Sequence, residues 1–124
     1  MAIFNKQQQK QVMPSSAMPF ELKNGETVPL EVSWSIVERL RVSRDESYAD
    51  FSRVLTKGAS DVMDNLRVLY AAYRGGYMRQ NGSTDGAMSY MAFMDLVPDD
   101  MRSVMETVAA LLDPKSNRDS ETLL

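Results

Sequence analysis

The chain contains no cysteine and no histidine. Without cysteine there are no disulfides and no thiol chemistry, and without either residue the usual zinc and copper ligand sets are gone. Any catalytic group would have to be Asp, Glu, Lys, Ser or Tyr, and no motif arranges these for acid–base or nucleophilic work. The chain therefore reads as a non-enzyme with no cofactor and no metal. Cations are in the minority, 14 Lys and Arg against 17 Asp and Glu, for a net charge of −3. The basic footprint of a nucleic-acid binder is missing. No apolar run approaches the roughly 18 to 20 residues that cross a bilayer. The start "MAIFNKQQQKQVMPSS" has neither the charged n-region nor the long h-region of a signal peptide. A soluble cytoplasmic protein is expected, with neither nucleic acid nor membrane as partner. A length of 124 residues suits one domain around one core.

Structure begins after a Gln-rich lead. In "PFELKNGETVPLEVSW", Phe20 and Leu22 alternate with polar residues, and Val28, Leu30 and Val32 do the same around Asn24-Gly25. This period of two predicts a β-hairpin. A two-residue Asn-Gly turn would pair Leu22 with Thr27 and split the apolar side chains between two faces. A three-residue loop, Lys23-Asn24-Gly25 with Gly25 left-handed, pairs Phe20 with Val28 and unites them, and is preferred. Pro29 lacks an N–H, so its strand needs at least one side where no donor is required.

Helical periodicity takes over from there. Ser35 with Glu38 fits a capping box for a helix whose face holds Trp34, Val37 and Leu40. "ESYADFSRVLTKG" aligns Tyr48, Phe51, Val54 and Leu55 and stops at Gly58. "SDVMDNLRVLYAAYRGGYM" is capped by Ser60, carries Val62, Leu66, Leu69, Tyr70 and Tyr73 at helical spacing, and ends or kinks at Gly75-Gly76. After the loop "QNGSTDGA", Ser89 caps a short helix to Leu96. Pro98 opens the last helix with Asp99 and Asp100 in its first turn. Its face holds Met101, Val104, Met105, Val108, Leu111 and Leu112, and Asp113-Pro114 stops it. The expected fold is mainly α: a single domain of four to five short helices with an N-terminal β-hairpin. Residues 1–17 are read as a flexible lead, 18–113 as the domain and 114–124 as a disordered tail.

Charged clusters have ordinary explanations. Asp95, Asp99 and Asp100 lack the order of a calcium loop, and two of them are helix-start acids. Arg39, Arg41, Arg44 and Arg53 are interspersed with Glu38, Asp45, Glu46 and Asp50, the pattern of a solvated, salt-laced face rather than a DNA-binding one. Tyr70 and Tyr73 suit a core edge. The unusual feature is methionine, 10 in all, concentrated in "MSYMAFMDLVPDDMRSVM". Along 88–97 the short helix is apolar on two sides: Tyr90, Phe93, Met94 and Val97 on one, Met88 and Met91 on another. Either the element is wholly core, or one face is left for a partner.

The order of these elements resembles the tail assembly chaperones of long-tailed bacteriophages. The likeness rests on "FELKNGETVPLEV" running into "SWSIVERL", then "LRVLYAAYRGG", a loop, "MSYMAFMDLVP" and a final helix ending "LLDPK". "LYAAYR" together with "MSYMAFMDLVPDDM" is its more specific part; the Gln-rich start is longer than the pattern requires. The resemblance implies a phage or prophage protein of the host cytoplasm that binds the tape measure protein and helps recruit tail tube protein. It also implies self-association, absence from the finished particle and, in many members, a longer form made by ribosomal frameshifting. Adaptable thioethers suit a groove for a long amphipathic helix, so Met88, Tyr90, Met91, Phe93, Met94, Met101 and Met105 are expected to line or border it. The alternatives are a connector retained in the virion and a small DNA-binding regulator.

Overall fold

Two prolines organise the N-terminal hairpin and, through it, the whole fold. In a computed structural model, which describes residues 17–113, β1 (Ala17–Glu21) and β2 (Thr27–Glu31) pair antiparallel, with Phe20 opposite Val28 and Met18 opposite Leu30. The loop is the three-residue one. Leu22 N–H donates to Glu26 O at 2.8 Å, Gly25 N–H donates to Leu22 O at 2.9 Å, and Gly25 takes φ 88°. Phe20, Val28 and Leu30 are buried together, as the register requires. A Cβ at Gly25 meets nothing within 4 Å. Gly25→Ala should therefore cost only the left-handed backbone penalty, about 1–2 kcal/mol, read as a lower thermal midpoint.

Pro19 stands opposite Pro29. Neither has an N–H, so the two cannot form a hydrogen-bonded pair. In an antiparallel ladder the polar groups of such a pair point away from the partner strand, which turns the Pro29 carbonyl outward. A helix covers that side of β2. A Cβ on Gly76 would strike the Pro29 carbonyl oxygen, and one on Gly75 would sit 2.7 Å from Glu31 O and 2.6 Å from Ile36 Cγ2. The expectation of a helix end or kink at these glycines is thus corrected. Their missing side chains are what let a helix backbone close on the strand, and the helix runs unbroken to Asn81, where Gly82 at φ 83° caps it.

The remaining elements are α1 (Trp34–Val42), α2 (Tyr48–Lys57), that long helix α3 (Val62–Asn81), α4 (Tyr90–Leu96) and α5 (Met101–Leu112). The protein is a mainly α single domain with a two-stranded hairpin, and the 20-residue α3 is its axis, packing on β2, α2, α5 and α1. Several caps differ from expectation by a residue or two, because Ser and Asp candidates stand side by side and packing selects among them. Ser33, not Ser35, caps α1 by accepting from Ile36 N–H at 3.3 Å. Asp61, not Ser60, caps α3 by accepting from Asp64 N–H at 3.0 Å. Asp100 caps α5 by accepting from Ser103 N–H at 3.2 Å, so Pro98 and Asp99 lie before that helix. Gly58 ends α2 and Ser89 caps α4 as read. On α1 the inward pair is Ile36 and Leu40; Trp34, expected on the inner face, points to solvent. The lead before residue 17 and the tail after residue 113 fall outside the described residues, and Ala17, assigned to the lead, opens β1.

Candidate partner-binding site

The segment from Met88 to Val97 is fastened at both ends by main-chain hydrogen bonds. At its start Met88 N–H donates to the Tyr73 hydroxyl at 2.8 Å. Met88 O accepts from the Tyr70 hydroxyl at 2.9 Å and from Arg74 Nη1 at 3.2 Å. At its end Leu96 O accepts from Lys23 N–H, in the hairpin loop, at 2.8 Å. Between them Phe93 is driven into the core. Its ring stacks on Tyr73 with centroids 4.7 Å apart, and Tyr70 and Phe20 lie at 5.7 and 6.5 Å. Tyr90 meets Tyr70 edge-on at 5.3 Å and carries the Arg67 guanidinium 4.7 Å over its ring. Offset and edge geometries of this kind add to burial energy.

The seven residues singled out in the sequence divide three ways. Phe93 is fully buried and anchors the segment, so it could only underlie a groove and not present its ring to a partner. Met88, Tyr90, Met94 and Met105 are half-buried and pack on the same core cluster. Met91 and Met101 stand outside it, 66% and 52% exposed. The two apolar sides of 88–97 therefore have different fates. One is core; the other, at Met91, faces water.

Beneath this segment lies an ion pair that sequence reasoning missed. Arg74 donates from Nη2 to Asp45 Oδ1 at 2.8 Å and from Nε to Oδ2 at 3.0 Å, with both side chains buried. Asp45 also accepts from the Ser47 hydroxyl at 2.7 Å and amide at 3.1 Å. Local structure aims it inward. α1 ends with Arg44 left-handed at φ 59°, and Asp45 N–H reaches back to Leu40 O at 2.9 Å, a Schellman closure in which Arg replaces the usual Gly. The signal was the lone cation in "LYAAYRGG": an arginine on an inward helix face requires a buried acid. A second pair, Arg79 to Glu31 at 2.6 and 3.0 Å, sits where α3 crosses β2, with the Ser33 hydroxyl donating to the same carboxylate at 2.7 Å. It flanks a groove of about 240 Å³ along the hairpin, lined by Met18, Pro19, Val28, Pro29 and Gly76.

Burial alone would push both carboxylates up, but their partners outweigh it. Arg74 and Ser47 hold Asp45 at about 2, and Arg79 and Ser33 hold Glu31 below the ordinary carboxylate range. A depressed folded-state value stabilises the fold above the unfolded value near 4, and that contribution is lost as pH falls toward 2. Helical circular dichroism should stay flat from pH 7 to about 4 and fall between about 4 and 2.

No family model, curated protein or solved structure matches the chain.

Proposed function

We propose that this protein is a non-enzymatic assembly chaperone of a long-tailed phage or prophage. It binds an amphipathic helical stretch of the tape measure protein, helps recruit tail tube protein and self-associates. It acts in the host cytoplasm and leaves before the particle is finished. The observation that supports this best is the treatment of Met91 and Met101. Both thioethers are exposed, and Met91 rides on a segment tied down at Met88, Phe93 and Leu96. A rigid support carrying soft, unbranched side chains can adapt to the varied apolar faces of a long helix while losing little order of its own.

A second reading, a connector retained in the virion, has one feature in its favour: β1 pairs only with β2 among the described residues, leaving an edge onto which a neighbour's strand can add. Mass spectrometry of purified particles separates the two. A chaperone is absent from them; a connector is present at fixed stoichiometry.

A further inference from the structure

Among the described residues the most exposed large apolar side chain is on α1, remote in sequence from Met88–Met105. Trp34 is 85% exposed and Val42 65%. At 3.6 residues per turn, Trp34, Glu38, Arg41 and Val42 fall within about 100° of arc, opposite the buried Ile36 and Leu40. Glu38 is neutralised by Arg41, which grips it at 2.6 and 3.0 Å. That leaves Arg39 and Arg44, both exposed, whose guanidinium groups make no side-chain hydrogen bond or ion pair among the described residues; Arg39 contributes only at a distance to holding Glu31 ionised. A face with an exposed indole and a valine, bordered by three arginines against one glutamate, thus sits on a chain whose net charge is −3. The platform is rigid. Ile36 and Leu40 pin α1 onto the core, Ser33 caps it, and Arg79 Nη2 donates to Ser35 Oγ at 3.1 Å.

From this we infer that the outer face of α1 is a second docking surface, separate from the methionine-bearing one, and that its occupant is an acidic amphipathic helix. Charge complementarity selects that occupant. An apolar stripe on the partner covers Trp34 and Val42, and its flanking carboxylates meet Arg39 and Arg44. An exposed Trp beside Arg has the composition of an interface hot spot. Steering by the arginines adds a rate and salt dependence that a purely apolar contact lacks. The inference does not depend on the chaperone reading and survives its failure.

Trp34 is the sole tryptophan, so intrinsic fluorescence reports on this face directly. The probes are three synthetic peptides. One is a helix former with Leu at i, i+3, i+4 and i+7 and Glu elsewhere, one is its Lys-for-Glu counterpart, and one is an all-Glu peptide of equal length. Saturable blue-shifted emission is expected with the Glu/Leu peptide alone, weakening as salt is raised. With that peptide labelled and followed by anisotropy, Trp34→Ala should weaken binding about tenfold or more. Arg39→Glu with Arg44→Glu should move preference to the Lys/Leu peptide. Unchanged circular dichroism verifies that each variant folds, as expected for side chains this exposed. Equal binding of the Lys/Leu peptide, no binding of any peptide, or unaltered affinity in the Trp34 variant would overturn the inference. So would a blue shift in the free protein that grows with its concentration, which would give the face to a second copy of the chain.

Discussion

Gly76→Ala is expected to lower stability by about 3 kcal/mol or more, the upper range for overpacking, because the obstacle is backbone rather than a movable side chain. Ordinarily the substitution has the opposite sign. Alanine in a helix interior is better than glycine by about 0.5–1 kcal/mol, since glycine loses more chain entropy on folding. Here the added methyl group would strike the Pro29 carbonyl oxygen and lie 2.7 Å from the Pro29 carbonyl carbon. The helix would have to lift off the edge of β2, and α3 is the element on which β2, α2, α5 and α1 all pack. At roughly 4–8 °C per kcal/mol for a domain of this size, the thermal midpoint should drop by more than about 12 °C. A rise in the midpoint would mean that α3 does not approach β2 as described. Gly75→Ala should be milder, since its methyl group would lie 2.7 Å from Glu31 O, a wider clearance than Gly76 has to Pro29 O, although the stiff, buried Ile36 side chain at 2.6 Å must also give way.

Arg74→Met should cost about 3–5 kcal/mol, the range for removing one partner of a buried ion pair. It leaves Asp45 buried without its guanidinium and takes a donor from both Tyr70 and Met88 O, so the damage reaches the start of the methionine segment. Asp45→Leu should be similarly costly because it strands the cation. The informative variant is the pair of changes together. If the cost of each is mainly an uncompensated charge, the double replacement recovers much of the loss, since well-packed apolar residues often replace a buried pair at little cost. The acid dependence gives a second handle. The shift of Asp45 to about 2 corresponds to roughly 2 kcal/mol of stabilisation at neutral pH. The double variant should therefore lose less stability than the parent between pH 4 and 2. Urea titrations at both ends of that window measure the difference.

What could be read from the sequence was whatever short-range pattern controls. The hairpin register was legible because a slip would have divided Phe20, Val28 and Leu30 between two faces. The ends of α2 and the start of α4 followed from Gly58 and Ser89, each unambiguous in its neighbourhood. Gly75-Gly76 was misread because the penalty of glycine in a helix is local, whereas its benefit here depends on a strand more than forty residues earlier. Trp34 was misplaced for a related reason. Two registers of α1 place apolar residues on one side, and the one that buries Ile36 and Leu40 wins over the one that buries the indole. Asp45 and Arg74 are 29 residues apart, and nothing adjacent to either announces the other except the oddity of an arginine among apolar neighbours. The methionine segment was half legible: its two apolar sides were visible, but only packing shows that Phe93 takes the inside and Met91 the outside.

This division also determines how the proposed function is best tested. Substituting Phe93 or Met94 would disturb the core and confuse unfolding with loss of binding. Met91 and Met101 are exposed enough that serine at either position should alter stability by no more than about 0.5 kcal/mol. The decisive measurement is co-expression of the tape measure protein with the parent chain and with the Met91→Ser, Met101→Ser variant, followed by co-purification from the soluble fraction. The account predicts that the parent keeps the tape measure protein soluble and retains it, while the folded variant retains about tenfold less or worse. Equal retention by the variant, or a tape measure protein that stays insoluble beside the parent chain, would contradict it.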